Sequence, residues 1–242
     1  MSTVTNKGRK KEDVSKHKIY RDDNGNVVGW KLNPLAYWDN IEDMPTPSDT
    51  RALIEWSDIP DVAINQRHSL KMASYVTTQT LFEFVMGYNP SQIQIDPIMQ
   101  LVHADETTEP TEITGKTETG VKKQLKDYPV VHVSYFESIE FCNRLSLILG
   151  LQGCYLILDE KKAVTIYWDD EAEGIRLPTE QEWLYCAKAN QPYPYAGGSN
   201  PNEVAWTAEN SNQELKVVGL LKPNKWGLHD MSGLVWEWVW TH

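Results

Sequence analysis

The chain has 242 residues, with 34 acidic against 23 basic side chains and a formal net charge of −11. That balance excludes a general nucleic-acid binder, which needs a positive surface. A hydrophobic share of 40%, with ten Trp and eleven Tyr, is enough for one substantial, aromatic-rich core.

Residues 1–17 form a polar, Lys-rich tail with nothing to bury, so disorder is expected there. The same start lacks the apolar stretch of a secretory signal, and no apolar run nears the roughly 20 residues of a membrane span. A cytoplasmic protein without membrane association is therefore expected. Residues 18–60 read as a hairpin followed by an irregular wrap. Asn24-Gly25 is a preferred tight-turn pair between strand-forming residues over 19–32, and the Pro- and Asp-punctuated stretch 33–61 follows.

The main domain is expected over 61–242. Residues 62–75 read as strands, and Thr77 is placed as the cap of a helix. Its Leu81, Phe84 and Val85 share one face, and Gly87 ends it. The polar stretch 96–127 reads as a surface insertion. Two capping boxes follow, Ser134 with Glu137 and Thr179 with Glu182. The first opens a helix burying Ile139, Cys142, Leu145 and Leu149, and the second a helix burying Trp183, Cys186 and Ala187. Residues 154–159 and 163–168 read as paired strands. Few long helices, short strands and long connections indicate an α+β domain.

Cys142, Cys154 and Cys186 are odd in number and lack metal-type spacing, and Cys142 and Cys186, each in an apolar helical pattern, read as small buried thiols. The six histidines show no metal or catalytic spacing, and His132 and His229 read as surface or strand positions. The acidic run Asp169-Asp170-Glu171 with Glu173 reads as a solvated turn. No phosphate loop, dinucleotide fingerprint or nucleophile elbow is present.

The most informative segment is Trp226-Gly-Leu-His-Asp-Met-Ser-Gly-Leu-Val-Trp-Glu-Trp-Val-Trp240. Trp183, Trp206, Trp236 and Trp238 are read as core rings, since large indoles left in water forgo several kcal/mol each at about 25 cal/mol per Å². Gly233 suggests a bend with close backbone approach. This segment closely resembles the Gly-Leu-Tyr-Asp-Met-x-Gly-Asn-Val-Trp-Glu-Trp motif of the formylglycine-generating enzyme (sulfatase-modifying factor) family. Residues 75–91, 128–146, 174–183 and 205–228 resemble further motifs in the family's order. Among them, Gly174-Ile-Arg-Leu-Pro-Thr-Glu-Gln-Glu-Trp183 is very similar to the family's Arg-Leu-Pro-Thr hallmark. The resemblance covers roughly residues 66–240, apart from the insertion.

The resemblance implies the family's variant of the C-type lectin fold, left incomplete at the C-terminus if nothing follows residue 242. In the oxidase members, copper(I) is held by two cysteines downstream of the Trp-Glu-Trp motif, and residues 1–242 hold no such pair. No catalytic residue and no bound cofactor is therefore expected within these residues. The family's calcium sites use asparagine side chains, and the matching positions here are Leu234 and Val204. Glu237 is left as a weak calcium candidate beside Leu234. The function expected is a non-catalytic scaffold for a protein or small ligand. The alternative is a copper-dependent oxidase converting a substrate cysteine to formylglycine, if the chain is truncated. A related iron-dependent, sulfur-inserting class ranks last, because residues 1–60 lack its histidine-bearing helical partner. A complementing chain or segment at the C-terminal edge is a further expected partner.

Overall fold

The computed structural model describes residues 17–21, 23–60, 70–91, 128–160 and 163–241. Of the expected tail at 1–17 only His17 is described, and it opens a strand; residues 1–16, the insertion at 96–127 and residues 61–69 lie outside the described residues. In chain order the elements are β1 (His17–Arg21), β2 (Val27–Leu32), α1 (Pro47–Arg51), β3 (Trp56–Ile59), β4 (Leu70–Ala73) and α2 (Gln79–Met86). Then come α3 (Tyr135–Ile148), β5 (Tyr155–Glu160), β6 (Ala163–Trp168), α4 (Glu180–Lys188) and α5 (Pro201–Val204). The described strands pair antiparallel as β1–β2, β3–β4 and β5–β6. The mix of short strands, few helices and long connections is the expected α+β architecture.

The chain divides into two compact units. One comprises Met1–Arg51, Ser134–Thr179 and Trp238–His242; the other comprises Ala52–Val133 and Glu180–Glu237.

In the first unit, the β1–β2 hairpin turns at Asn24-Gly25, where Gly25 takes φ +84°. A register shift between Tyr20 and Arg21 adds a local bulge. The capping box of α3 forms: the Ser134 hydroxyl accepts from Glu137 N–H, and the Glu137 carboxylate accepts from Ser134 N–H. Ile139, Cys142 and Leu145 are buried as expected. Ile148 rather than Leu149 completes the buried face; Leu149 is half-buried. Buried Asn143 pins β5, its Nδ2 donating to Tyr155 O (2.8 Å) and its Oδ1 accepting from Tyr155 N (3.1 Å). The Ser146 hydroxyl accepts from Ile175 N (2.8 Å), fixing the strand-like run into Arg176. Arg144 pairs with Glu140 at 2.8 Å and lays its guanidinium over Tyr37 (4.9 Å) and Trp38 (5.9 Å). This cation–π clamp ties the 34–38 turn to α3.

In the second unit, β3 lies within the stretch read as irregular. It pairs Trp56 with Ala73 and Ile59 with Leu70. The alternation that marks it, Ser57 and Ile59 inward with Asp58 outward, is too short to stand out from the surrounding Pro and Asp. The cap of α2 is Thr78, whose hydroxyl accepts from Leu81 N; Thr77 is one residue too early. Leu81 and Val85 are buried as expected, but Phe84 is exposed and Phe82 takes the buried place beside them. Gly87 ends α2 at φ +82°. Buried Gln79 donates to Pro129 O (3.3 Å) and accepts from Asn89 Nδ2 (2.9 Å), binding the helix start to the 128–131 segment. The core gathers Ile59, Cys186, Ala187, Ala196, Leu228 and Met231, with Trp183, Tyr185 and Trp226 packed against them.

Candidate functional site: the Trp-Glu-Trp segment

The segment from Trp226 is set by buried Asn224. Its Nδ2 donates to Cys186 O (2.8 Å), and its Oδ1 accepts from Trp226 N (2.9 Å) and Leu228 N (3.2 Å). His229 then stacks on Tyr75, centroids 4.8 Å apart, and its backbone N–H donates to Ser74 O (2.9 Å). The His229 Nδ1 lies 3.0 Å from Leu221 O; a carbonyl only accepts, so Nδ1 carries the proton. The next residue, Asp230, is buried at φ +58°, and its Oδ2 accepts from Gly219 N at 2.6 Å. Gly219 leaves no room for a side chain, since a Cβ would sit 2.3 Å from the Tyr75 ring.

Gly233 is the tightest point of the turn. It takes φ +92°, and a Cβ there would lie 2.0 Å from Trp206 O. Leu234 N donates to the same carbonyl (3.2 Å), a parallel bridge joining Trp206 to Gly233. Leu234 itself stands at φ +61°, a left-handed conformation costly for a branched side chain.

Beyond this turn the aromatic rings divide. Trp183 and Trp206 are half-buried. Trp236 is not a core ring: its exposure is 102%, meaning that the indole is wholly in water. Trp238 is exposed too, at 49%, although its edge meets Tyr135 at 5.5 Å. The expectation of burial fails for both. Residues 235–239 form no regular strand, so the alternation that would send 236, 238 and 240 to one side does not apply. Trp240, in the first unit, is the anchored ring. It stacks on Tyr155 (5.2 Å) and Tyr135 (6.5 Å) and meets Trp168 edge-on (5.5 Å). Its backbone N–H donates to Pro178 O at 2.8 Å.

Glu237 is the carboxyl of the motif. Burial pushes its pKa up to about 7, the neighbouring Trp183 indole opposes the shift, and the Asp230 charge adds to it. Trp183 as the neighbour of this carboxyl was not foreseen, and no spacing rule in the sequence links positions 54 apart. With a folded pKa above the ordinary value of 4.5, the folded state binds more protons than the unfolded one between those pH values. The contribution of Glu237 to stability is thus complete below about pH 4.5 and lost as pH rises through 7. Glu237→Gln is expected to match the parent at pH 4 and to exceed it at pH 8 by about 3 kcal/mol, read by denaturant titration at both pH values. An equal difference at both pH values would refute the assignment.

The three cysteines are free and buried, as expected for Cys142 and Cys186. Desolvation raises each thiol, Cys154 to about 11 and Cys186 to about 12, with Cys142 higher still and also raised by Cys154. Burial thus favours the protonated thiol at each of the three positions in the metal-free chain. Among the described residues no group of three or more His, Cys, Asp and Glu could hold a metal ion. His132 is exposed at φ +62°, and Asp169 closes its acidic turn by accepting from Glu171 N (3.1 Å). Among the described residues, no helix is long and apolar enough to cross a membrane.

Comparison with known proteins bears directly on this segment. The model of the sulfatase-modifying factor enzyme 1-like domain matches residues 48–242. The chaperone protein LppX of Paenibacillus barcinonensis is 33% identical over 162 residues, 53% of this chain and 56% of that protein. The inactive C-alpha-formylglycine-generating enzyme 2 of Bos taurus is 29% identical over 134 residues, 50% of this chain and 35% of that protein. The chain thus spans between about a third and just over half of the length of these curated relatives. Among solved structures, variable protein 1 of Treponema denticola superposes with a TM-score of 0.53 at 28% identity, over 77% of this chain and 69% of that one.

Proposed function

Because the chain belongs to the sulfatase-modifying factor enzyme 1-like domain family, we propose that it uses this scaffold without catalysis, to hold a protein or small ligand against the Trp-Glu-Trp segment. The observation that carries the reading is Trp236, an indole wholly in water that leaves the chain just past a turn built from Gly233, Asp230 and Trp206. A large amphipathic ring on a constrained backbone loses little conformational entropy on contact and offers a large area, which is how aromatic hot spots work. The buried, protonated thiols support a non-catalytic role. So do the names of two relatives: one is an inactive member of the enzyme family, and another is a variable protein. A third relative is called a chaperone, which favours a protein partner over a small ligand.

The test is selection of a peptide library on the purified chain, followed by affinity measurement on Trp236→Ala. Peptides selected on the parent are expected to lose at least tenfold in affinity, about 1.4 kcal/mol, while the melting temperature stays within about 1 °C. Unchanged affinity would remove Trp236 from the contact.

A further inference from the structure

The family resemblance places a calcium-binding turn at 234–237, and the residues present do not fit calcium. Leu234 stands where an asparagine oxygen would be required and offers only its backbone, while calcium takes six to eight oxygens. The second family position, Val204, is buried and apolar. Yet position 234 keeps the left-handed backbone, φ +61°, that asparagine adopts readily and leucine does not. The turn around it is held without an ion: Gly233 packs on the Trp206 carbonyl, Leu234 N donates to that carbonyl, and Asp230 Oδ2 is engaged by Gly219 N–H. Glu237 is withdrawn beside the Trp183 indole N–H.

We infer that this turn is a metal-free lock, in which hydrogen bonds to Trp206 and Asp230 do the work of a cation and Leu234 is held in a strained conformation. The strain belongs to the backbone and is relieved by any residue that tolerates the left-handed region. It does not depend on a bound ion.

The test compares Leu234→Asn with Leu234→Ala by thermal unfolding, in excess calcium and in EGTA. Both variants lose the half-buried leucyl side chain, so their difference isolates the backbone effect. Asn is expected to melt about 2–4 °C above Ala, by the same margin with and without calcium, and the parent is expected to be insensitive to calcium. A margin that appears only in calcium, or a parent that melts higher in calcium, would overturn the inference. Equal melting of the two variants under both conditions would overturn it as well, because no strain would then reside at position 234. Terbium luminescence sensitised by Trp183 supplies a second readout. Absent emission supports the metal-free lock, and emission that calcium quenches and Glu237→Gln abolishes contradicts it.

Discussion

Trp240→Ala is expected to destabilise the chain by about 3–5 kcal/mol, the usual range for deleting a packed Trp or Phe. At roughly 2–4 °C per kcal/mol for a chain of this size, the melting temperature falls by about 10 °C. Trp240 is the hub of the aromatic cluster in its unit. Its indole touches Tyr155, Tyr135 and Trp168, with centroids 5.2, 6.5 and 5.5 Å away. Tyr155 is in turn fully buried, with its backbone satisfied by Asn143 and its hydroxyl accepting from Leu177 N at 3.0 Å. Removing Trp240 therefore opens a cavity against groups that cannot collapse without breaking those hydrogen bonds. Trp240→Phe, which restores most of the ring volume, is expected to recover more than half of the loss. A loss below about 1 kcal/mol for the alanine variant would show that the cluster does not hold the unit together.

The second large effect is at Gly233. An added methyl group would sit 2.0 Å from Trp206 O and 2.9 Å from its carbonyl carbon, and both are backbone atoms that cannot rotate away. Its φ of +92° is also poorly open to an L side chain. Gly233→Ala is expected to cost about 3–5 kcal/mol, combining overpacking with backbone strain. The loss should show as a fall in the denaturant midpoint without a change in slope. The damage should also reach Leu234 N, whose hydrogen bond runs to the same carbonyl. A Gly233→Ala chain as stable as the parent would mean that the bridge to Trp206 is not required.

Much of the fold was legible because local chemistry decides it. Ser134 and Glu137 satisfy each other's backbone N–H groups whatever surrounds them, so the start of α3 could be read directly. Asn24-Gly25 and Gly87 did the same for a turn and a helix end. The errors came where two adjacent residues compete for one local role. Thr77 and Thr78 are chemically equivalent caps, and Phe82 and Phe84 are equal rings, of which tertiary packing buries only the first. At the candidate site, composition said that large rings belong inside, a tendency of hydrophobic residues in general. Trp236 nevertheless stands in water, just past a turn with positive φ values at Asp230, Gly233 and Leu234. Two of those three residues are not glycine, so nothing in the residue types announced them. The Trp183–Glu237 neighbourhood likewise needs tertiary structure, because it joins α4 to a loop far along the chain.

The proposed role separates most sharply from copper oxidase chemistry in a single assay. The purified chain is incubated with copper(I), oxygen, a thiol reductant and a cysteine-bearing peptide, and aldehyde is counted by hydrazide labelling. With Cys142, Cys154 and Cys186 buried and protonated, aldehyde is expected to stay at the level of peptide and copper alone. Aldehyde that accumulates over several turnovers per chain would contradict the non-catalytic scaffold.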